Sequence, residues 1–252
     1  MKIAVITGAS SGMGREFVLQ LDRQQEFDEI WVIARRRDRL EELQKDVRSK
    51  IRPISLDLTR EESIAEYQKL LEEVKPEVAV LVNASGFGRF AAFEDTDLES
   101  MNRMIDLNVK AYVGMTYATL PYLREESEVY QLDSLSSFQP VPYIGVYGAT
   151  KAFVLSFSRA LNVELKKKKI HVMAVCPGWV KTEFFDRAVK DDTIKYYNKF
   201  FNSPDVVRRA VYDMYRGKDV SVIGASIRAQ VLFTKLAPHK LIMKLWCKQQ
   251  KK

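Results

Sequence analysis

Short apolar runs rich in β-branched residues recur along the chain: KIAVIT (2–7), IWVIA (30–34), IRPISL (51–56), EVAVLVN (77–83), EVYQL (128–132), IHVMAV (170–175) and DVSVIG (219–224). Between them lie segments with helix formers, charges and helical spacing, such as RRDRLEELQKDVRS (36–49) and TREESIAEYQKLLEEVK (59–75). A strand that is apolar at every position has no face to give to water and must be covered on both sides. Such strands alternating with helices predict a doubly wound α/β fold, a parallel sheet with helices on both faces. No repeat, low-complexity segment or Gly/Ser linker interrupts the pattern, so one domain over residues 1–225 is expected, followed by a tail, 226–252. Folds of this class bind ligands beyond the carboxyl ends of their strands, where the strand order reverses.

The first strand end reads ITGASSGMGRE, with Gly8, Gly12 and Gly14 before a helix expected to begin around Met13. Glycine lets the chain reverse tightly there and lets a pyrophosphate reach backbone N–H groups at the positive end of a helix. No Gly-Lys-Ser/Thr follows, which excludes a kinase-type phosphate loop; methyltransferases also place glycines after their first strand. The second strand runs into Arg35, Arg36 and Arg37, where an enzyme selecting NAD would present an acidic residue to the ribose 2′-hydroxyl. A guanidinium fork at that point matches a 2′-phosphate instead. As a mere helix start the three arginines would oppose the helix dipole, so they point to NADP(H).

Charge and composition narrow the class. The net charge of +7 equals the seven Lys and Arg that follow Asp219, the last acidic residue, so the body of the protein is formally neutral and the tail is basic. A nucleic-acid surface on the body would need a basic stripe there and is excluded. The start, MKIAVITGAS, lacks the pattern of a signal peptide, and no stretch reaches the roughly 18 apolar residues of a membrane span. Cys176 and Cys247 read as reduced thiols in a cytoplasmic protein. His171 and His239 have no partner at ligand spacing, so no metal is expected.

Several motifs, in this order, resemble those of the short-chain dehydrogenases/reductases over residues 2 to about 224. Thr7-Gly8-Ala9-Ser10-Ser11-Gly12-Met13-Gly14 is similar to their TGxxxGxG cofactor turn, and Asp57-Leu58 to the acidic strand end that contacts adenine. Asn83-Ala84-Ser85-Gly86 resembles NNAG, with Ala84 standing where the second Asn would be and with Asn83 and Gly86 at the family's cofactor-facing positions. Asn108 resembles the Asn of the fourth helix, Tyr147 and Lys151 the YxxxK pair, and Pro177-Gly178 with Val180 and Thr182 the segment that holds the nicotinamide carboxamide. The resemblance implies a Rossmann-like sheet of about seven strands, an NADP(H)-dependent oxidoreductase acting on a ketone, aldehyde or alcohol, and a homodimer or homotetramer built on helices near 98–123 and 146–166.

Carbonyl reduction needs a proton donor on the oxygen, and the reverse reaction needs a base. One tyrosine hydroxyl serves both if its pKa is brought down toward neutrality, and a nearby ammonium is a source of that shift. Tyr147 and Lys151 lie four apart and share a helix face. In the family the lysine also binds the nicotinamide ribose. The stretch DSLSSFQPVPYIGVYGATK (133–151) offers three serines. The family's catalytic Ser precedes its Tyr by thirteen residues, which is Ser134, leaving turn and cap roles to Ser136 and Ser137. Tyr143 is expected to wall the pocket. Asn108 is the family's water anchor in a proton relay, or else a buried, hydrogen-bonded structural Asn.

The substrate loop, 179–203, carries Trp179, Phe184, Phe185, Tyr196, Tyr197, Phe200 and Phe201. These rings suit a bulky apolar carbonyl compound such as a hydroxysteroid or acyl derivative, with small 3-hydroxy acids as the alternative class; Tyr196 to Phe201 equally fit an amphipathic helix. In the tail, Leu241, Ile242, Leu245 and Trp246 form one apolar face beside a row of Lys240, Lys244 and Lys248. That helix either packs over the substrate cleft or a subunit partner, or lies on an anionic membrane surface. A non-catalytic NADP(H)-binding sensor is the competing function; it would have no need of the Tyr147 acid.

Overall fold

A computed structural model describes residues 1–189 and 191–252. The first half alternates β1 (Lys2–Thr7), α1 (Gly12–Gln24), β2 (Glu29–Ala34), α2 (Arg37–Glu42), β3 (Lys50–Ser55), α3 (Glu61–Val74) and β4 (Glu77–Asn83). It continues with α4 (Leu98–Ile105), a π-turn at Asp106–Lys110, α5 (Ala111–Thr119), β5 (Leu123–Leu132), α6 (Gly145–Leu165) and β6 (His171–Val175). A small excursion follows, β7 (Trp179–Val180), α7 (Glu183–Ala188) and β8 (Phe200–Phe201), and then α8 (Ser203–Tyr215), β9 (Val220–Ser221), α9 (Ala225–Leu236) and α10 (His239–Gln249).

Seven strands form one parallel sheet in the order β3-β2-β1-β4-β5-β6-β9. Ile3 through Thr7 are buried without interruption, because one face meets Phe17, Val18 and Leu21 and the other meets Tyr67, Leu71 and Met115. This is the Rossmann-like, doubly wound architecture that the uninterrupted strands predict. The chain leaves β1 toward β2 and β3 and returns to β4 on the other side, so the order reverses between β1 and β4 and a crevice opens there. Thr7 closes its floor: its Oγ1 accepts hydrogen bonds from the N–H groups of Ala84 and Ser85, both at 3.0 Å.

Three expected elements differ. The helix over 36–49 is α2 plus one 3-10 turn (Leu43–Lys45), because the next residues are tied to α1: the Asp22 carboxylate accepts from the N–H groups of Arg48 (2.9 Å) and Ser49 (2.8 Å). Residues 196–201 are not helical; Phe200–Phe201 pair with Trp179–Val180 as a second, two-stranded sheet. The tail holds two helices, of which α10 buries Ile242 and donates Trp246 Nε1 to the Pro142 carbonyl at 3.0 Å, across the mouth of the crevice.

Candidate active site

A cavity of about 530 Å³ runs along the carboxyl ends of the strands. Its first half is lined by Gly8, Ser10, Ser11, Gly12, Met13 and Gly14 from the turn after β1, by Arg35 and Arg36 after β2, by Asp57 and Leu58 after β3, and by Ala84 and Gly86 after β4. Ser134, Tyr147, Lys151, Pro177, Gly178, Val180 and Thr182 line the second half. Segments far apart in the chain thus share one wall.

The glycines have steric reasons. Gly8 has φ +67°, and a Cβ on it would stand 2.7 Å from the Ala84 carbonyl oxygen; a Cβ on Gly14 would collide with the Gly8 carbonyl. Gly12 has φ +56° and opens α1, whose first turn carries no acidic side chain. The cradle therefore offers close backbone approach and the positive end of a helix, which fits a pyrophosphate. At its rim Arg36 is tied to the turn, its Nη2 donating to Ser10 Oγ and Ser11 Oγ, both at 3.0 Å, while Arg35 lines the cavity beside Asp57. Asp57 accepts from the Thr59 N–H and hydroxyl (3.2 and 2.9 Å); burial opposes its ionisation, and these donors more than offset that.

Helix α6 brings Tyr147 and Lys151 to the inner end, both buried. Lys151 Nζ donates to the Leu132 carbonyl at 2.8 Å and lies 5.1 Å from the Tyr112 ring centroid and 5.8 Å from that of Tyr147. Burial lowers its pKa, with the Asp133 carboxylate opposing the shift. Asp133 is itself raised by burial against the attraction of Lys151; its Oδ2 accepts from Cys176 Sγ at 3.3 Å and its Oδ1 has no hydrogen-bond partner. The expected lowering of Tyr147 is not found: burial raises it, and only the interaction with the Ser134 hydroxyl pulls the other way. Desolvation of a phenolate outweighs an ammonium whose proton is directed at Leu132.

Ser134 lines the cavity beside Tyr147 and takes a cap role as well, while Ser137 keeps the turn role expected of it. The Ser134 Oγ accepts from the Ser136 N–H at 3.2 Å, while the Ser136 hydroxyl is buried without a partner. Ser137 donates to the Ser134 carbonyl at 2.5 Å. Asn108 does not reach the cavity; it donates to the Phe87 carbonyl (2.9 Å) and Thr150 Oγ1 (3.1 Å) and accepts from the Phe87 N–H (3.1 Å), joining the chain after β4 to α6. Asn83, expected to face a cofactor, turns its side chain inward to Thr116 (3.1 Å) and Gln131 (3.0 Å), because strand alternation at the end of β4 points it away from the crevice. Tyr143, expected as a pocket wall, lies outside the lining; it takes φ +66°, and its ring meets Lys252 Nζ at 5.3 Å.

Beyond Tyr147 the wall is aromatic. Phe90 packs on Tyr147, Trp179 and Phe184 with centroids 5.7, 5.9 and 6.2 Å away. Phe185, Tyr196 and the α10 residues Ile242, Leu245 and Trp246 complete it, while Tyr197 and Phe200 pack behind Trp179 and Phe185. Reading the sequence passed over Asp133, Tyr112, Phe90, Arg39 and Glu183. Asp133 could have been suspected from its place at the end of a buried strand beside Ser134; nothing in the local pattern marks the others.

The model of the family described as short chain dehydrogenase matches residues 2–193. Sulfoacetaldehyde reductase 2 of Chromohalobacter salexigens is 34% identical over 191 residues, which covers 72% of this chain and 74% of that one. The fold superimposes on a short-chain dehydrogenase from Sphingobium yanoikuyae in complex with NADPH (TM-score 0.80, 26% identity, 97% of this chain and 96% of the other). It is also similar to the bulky-bulky ketone specific alcohol dehydrogenase from Comamonas testosteroni (TM-score 0.75, 25% identity, 97% and 94% covered). A match through the glycine turn, the buried Tyr147 and Lys151 and the crevice that joins them places the chain in the short chain dehydrogenase family of oxidoreductases.

Proposed function

We propose that the protein is an NADP(H)-dependent oxidoreductase that interconverts a bulky apolar ketone or aldehyde and its alcohol. The observation that carries this reading is the placement of Tyr147 and Lys151 at the junction of a glycine-lined half-cavity and an aromatic one. The NADPH in the Sphingobium relative and the ketone class named for the Comamonas relative support its two halves. Gly8, Gly12, Gly14, Arg36 and Asp57 would hold the adenosine and pyrophosphate, and Pro177, Gly178, Val180 and Thr182 the nicotinamide end. The bound cofactor supplies or accepts a hydride.

Around that transfer the chain handles one proton. The Tyr147 hydroxyl donates to the carbonyl oxygen of the substrate, and the Ser134 hydroxyl holds the same oxygen in place. Lys151, anchored on the Leu132 carbonyl, places a positive charge beside the phenolate that remains. Asn108 fixes the spacing between α6 and the chain after β4, so that Gly86 stays close to Lys151. Rings at Phe90, Trp179 and Phe184 exclude water from the reacting carbonyl and favour an apolar substituent over a sulfonate or carboxylate.

Exposed Leu98, Val113, Tyr117 and Phe153 on α4, α5 and α6 support a homo-oligomer, to be read by light scattering, and the unpaired Cys176 and Cys247 support a reducing, cytoplasmic setting. The function is tested by following NADPH and NADH consumption against ketosteroids, aryl ketones and small keto acids. Turnover with NADPH and the bulky ketones is expected; preference for NADH overturns the cofactor assignment, and turnover confined to small keto acids overturns the substrate class.

A further inference from the structure

Helix α7 is fastened to the end of β2 by a cluster of charges. Glu183 Oε2 accepts from Arg36 Nη1 at 2.8 Å, Glu183 Oε1 accepts from Arg39 Nη1, and Arg187 Nη2 stands 3.6 Å from Oε2. Nε and Nη2 of Arg36 are on Ser10 and Ser11, so the carboxylate of Glu183 takes the one remaining nitrogen of that fork. The residues that follow, Phe184 and Phe185, are walls of the substrate half of the cavity.

A carboxylate and a phosphate monoester are the same kind of partner to a guanidinium fork, and the end of β2 is where this fold presents the ribose 2′-substituent of a dinucleotide. A phosphate that takes the Arg36 fork bidentately competes with Glu183 for Nη1 and repels its carboxylate. We propose that Glu183 is an internal stand-in for the 2′-phosphate: a 2′-phosphorylated adenosine takes Arg36 and Arg39 from it and releases α7, with Phe184 and Phe185, to adjust around the substrate. This rests on the NADP(H) reading above. A nucleotide without the 2′-phosphate leaves Glu183 paired and α7 latched. By linkage, whatever displaces Glu183 is bound more weakly for having to do so.

The test uses the full chain with 2′,5′-ADP and 5′-AMP, which differ only in that phosphate, and reads hydrogen exchange in the peptide that spans 180–189 together with the two dissociation constants. Expected in the wild type is faster exchange in this peptide with 2′,5′-ADP and no change with 5′-AMP. In Glu183→Gln the exchange is already fast without ligand, 2′,5′-ADP binds about three- to tenfold more tightly, as loss of a half-exposed double ion pair implies, and 5′-AMP binds as before. A wild type that binds the two nucleotides equally removes the NADP(H) reading and the latch with it. A wild type that prefers 2′,5′-ADP, but whose exchange it leaves unchanged or slows, removes the latch alone. So does a Glu183→Gln variant that tightens both nucleotides alike, tightens neither, or leaves the exchange of α7 as in the wild type.

Discussion

Burial keeps the proton on Tyr147, and this decides how the residue can act. A hydroxyl whose pKa is raised is a donor across the neutral range, so it serves carbonyl reduction as it stands, whereas alcohol oxidation must first remove that proton at a cost. The reduction rate is therefore expected to stay level from roughly pH 6 to 7 and to fall above that as Lys151, whose pKa burial lowers to about 8, loses its charge, while oxidation, which needs the Tyr147 proton removed, climbs with pH. A reduction rate that rises between pH 6 and 8 would assign the proton to another group. Tyr147→Phe keeps the ring contacts with Phe90 and Phe184 and removes only the donor. NADPH affinity by fluorescence titration should be unchanged, with turnover reduced by about 10²- to 10⁴-fold. The resemblance to the family's motifs, not local spacing, nominated Tyr147, Lys151 and Ser134. It could not foresee that Ser134 caps the turn while Ser136 is left unpartnered, because which hydroxyl meets which N–H depends on the path of the bend.

At the level of elements, β1, β2, β4 and β6 were legible as nearly unbroken apolar runs and β3, β5 and β9 only as shorter apolar stretches mixed with Arg, Pro, Glu or Ser, and the glycine turn was legible because three glycines separate a strand from a helix. The aromatic segment was ambiguous: rings at 196, 197, 200 and 201 satisfy a helical stripe and a pleated strand alike, and the choice is made by Trp179–Val180, some twenty residues away. The tail was ambiguous for the same reason, since an amphipathic face does not name what it covers. In the structure α10 covers the cleft, and the residue after it does the fastening. Gln250 is fully buried; its Oε1 accepts from the N–H groups of Lys195 (2.8 Å) and Tyr196 (2.9 Å), and its Nε2 donates to the Tyr196 carbonyl at 3.3 Å. Gln250→Ala strands two backbone donors, at about 1–3 kcal/mol, so the amides of Lys195 and Tyr196 should exchange about 5- to 100-fold faster while those of β1 are unaffected. Unchanged exchange there would mean that α10 rests on the substrate loop without holding it.

Across the whole molecule, buried carboxylates divide into two groups that pull the pH dependence of stability in opposite directions. At Asp22, Glu29 and Asp213 burial opposes ionisation, but the donors around them more than offset it: the N–H groups of Arg48 and Ser49, Trp31 Nε1 with Lys50, and Arg209, Lys218 and Ser221. Their folded pKa values are lowered, so their stabilisation is present above the unfolded values, near 4, and is lost as pH falls through the folded ones. Asp133 and Glu128 are raised, by burial above all. The folded state keeps their protons after the unfolded chain has lost its own, so stability falls as pH rises from about 4 toward their folded values. Lys151, lowered by burial, changes stability only above its folded value. Thermal stability should therefore peak on the mildly acidic side, well below the sequence pI of 9.2. In Asp133→Asn the largest falling contribution is gone. Loss of the carboxylate also lowers Lys151 further, which makes stability rise with pH and so acts in the same sense, and the drop in Tm between pH 5 and pH 7.5 should be smaller than in the wild type by at least about 3–8 °C. His171, lowered by burial, acts in the opposite sense within that window but is common to both proteins and cancels in the comparison. An equal drop in the two proteins would mean that Asp133 is ionised in the folded state at pH 5, and that the carboxylate beside Lys151 is stabilised by contacts stronger than Cys176 and the lysine provide.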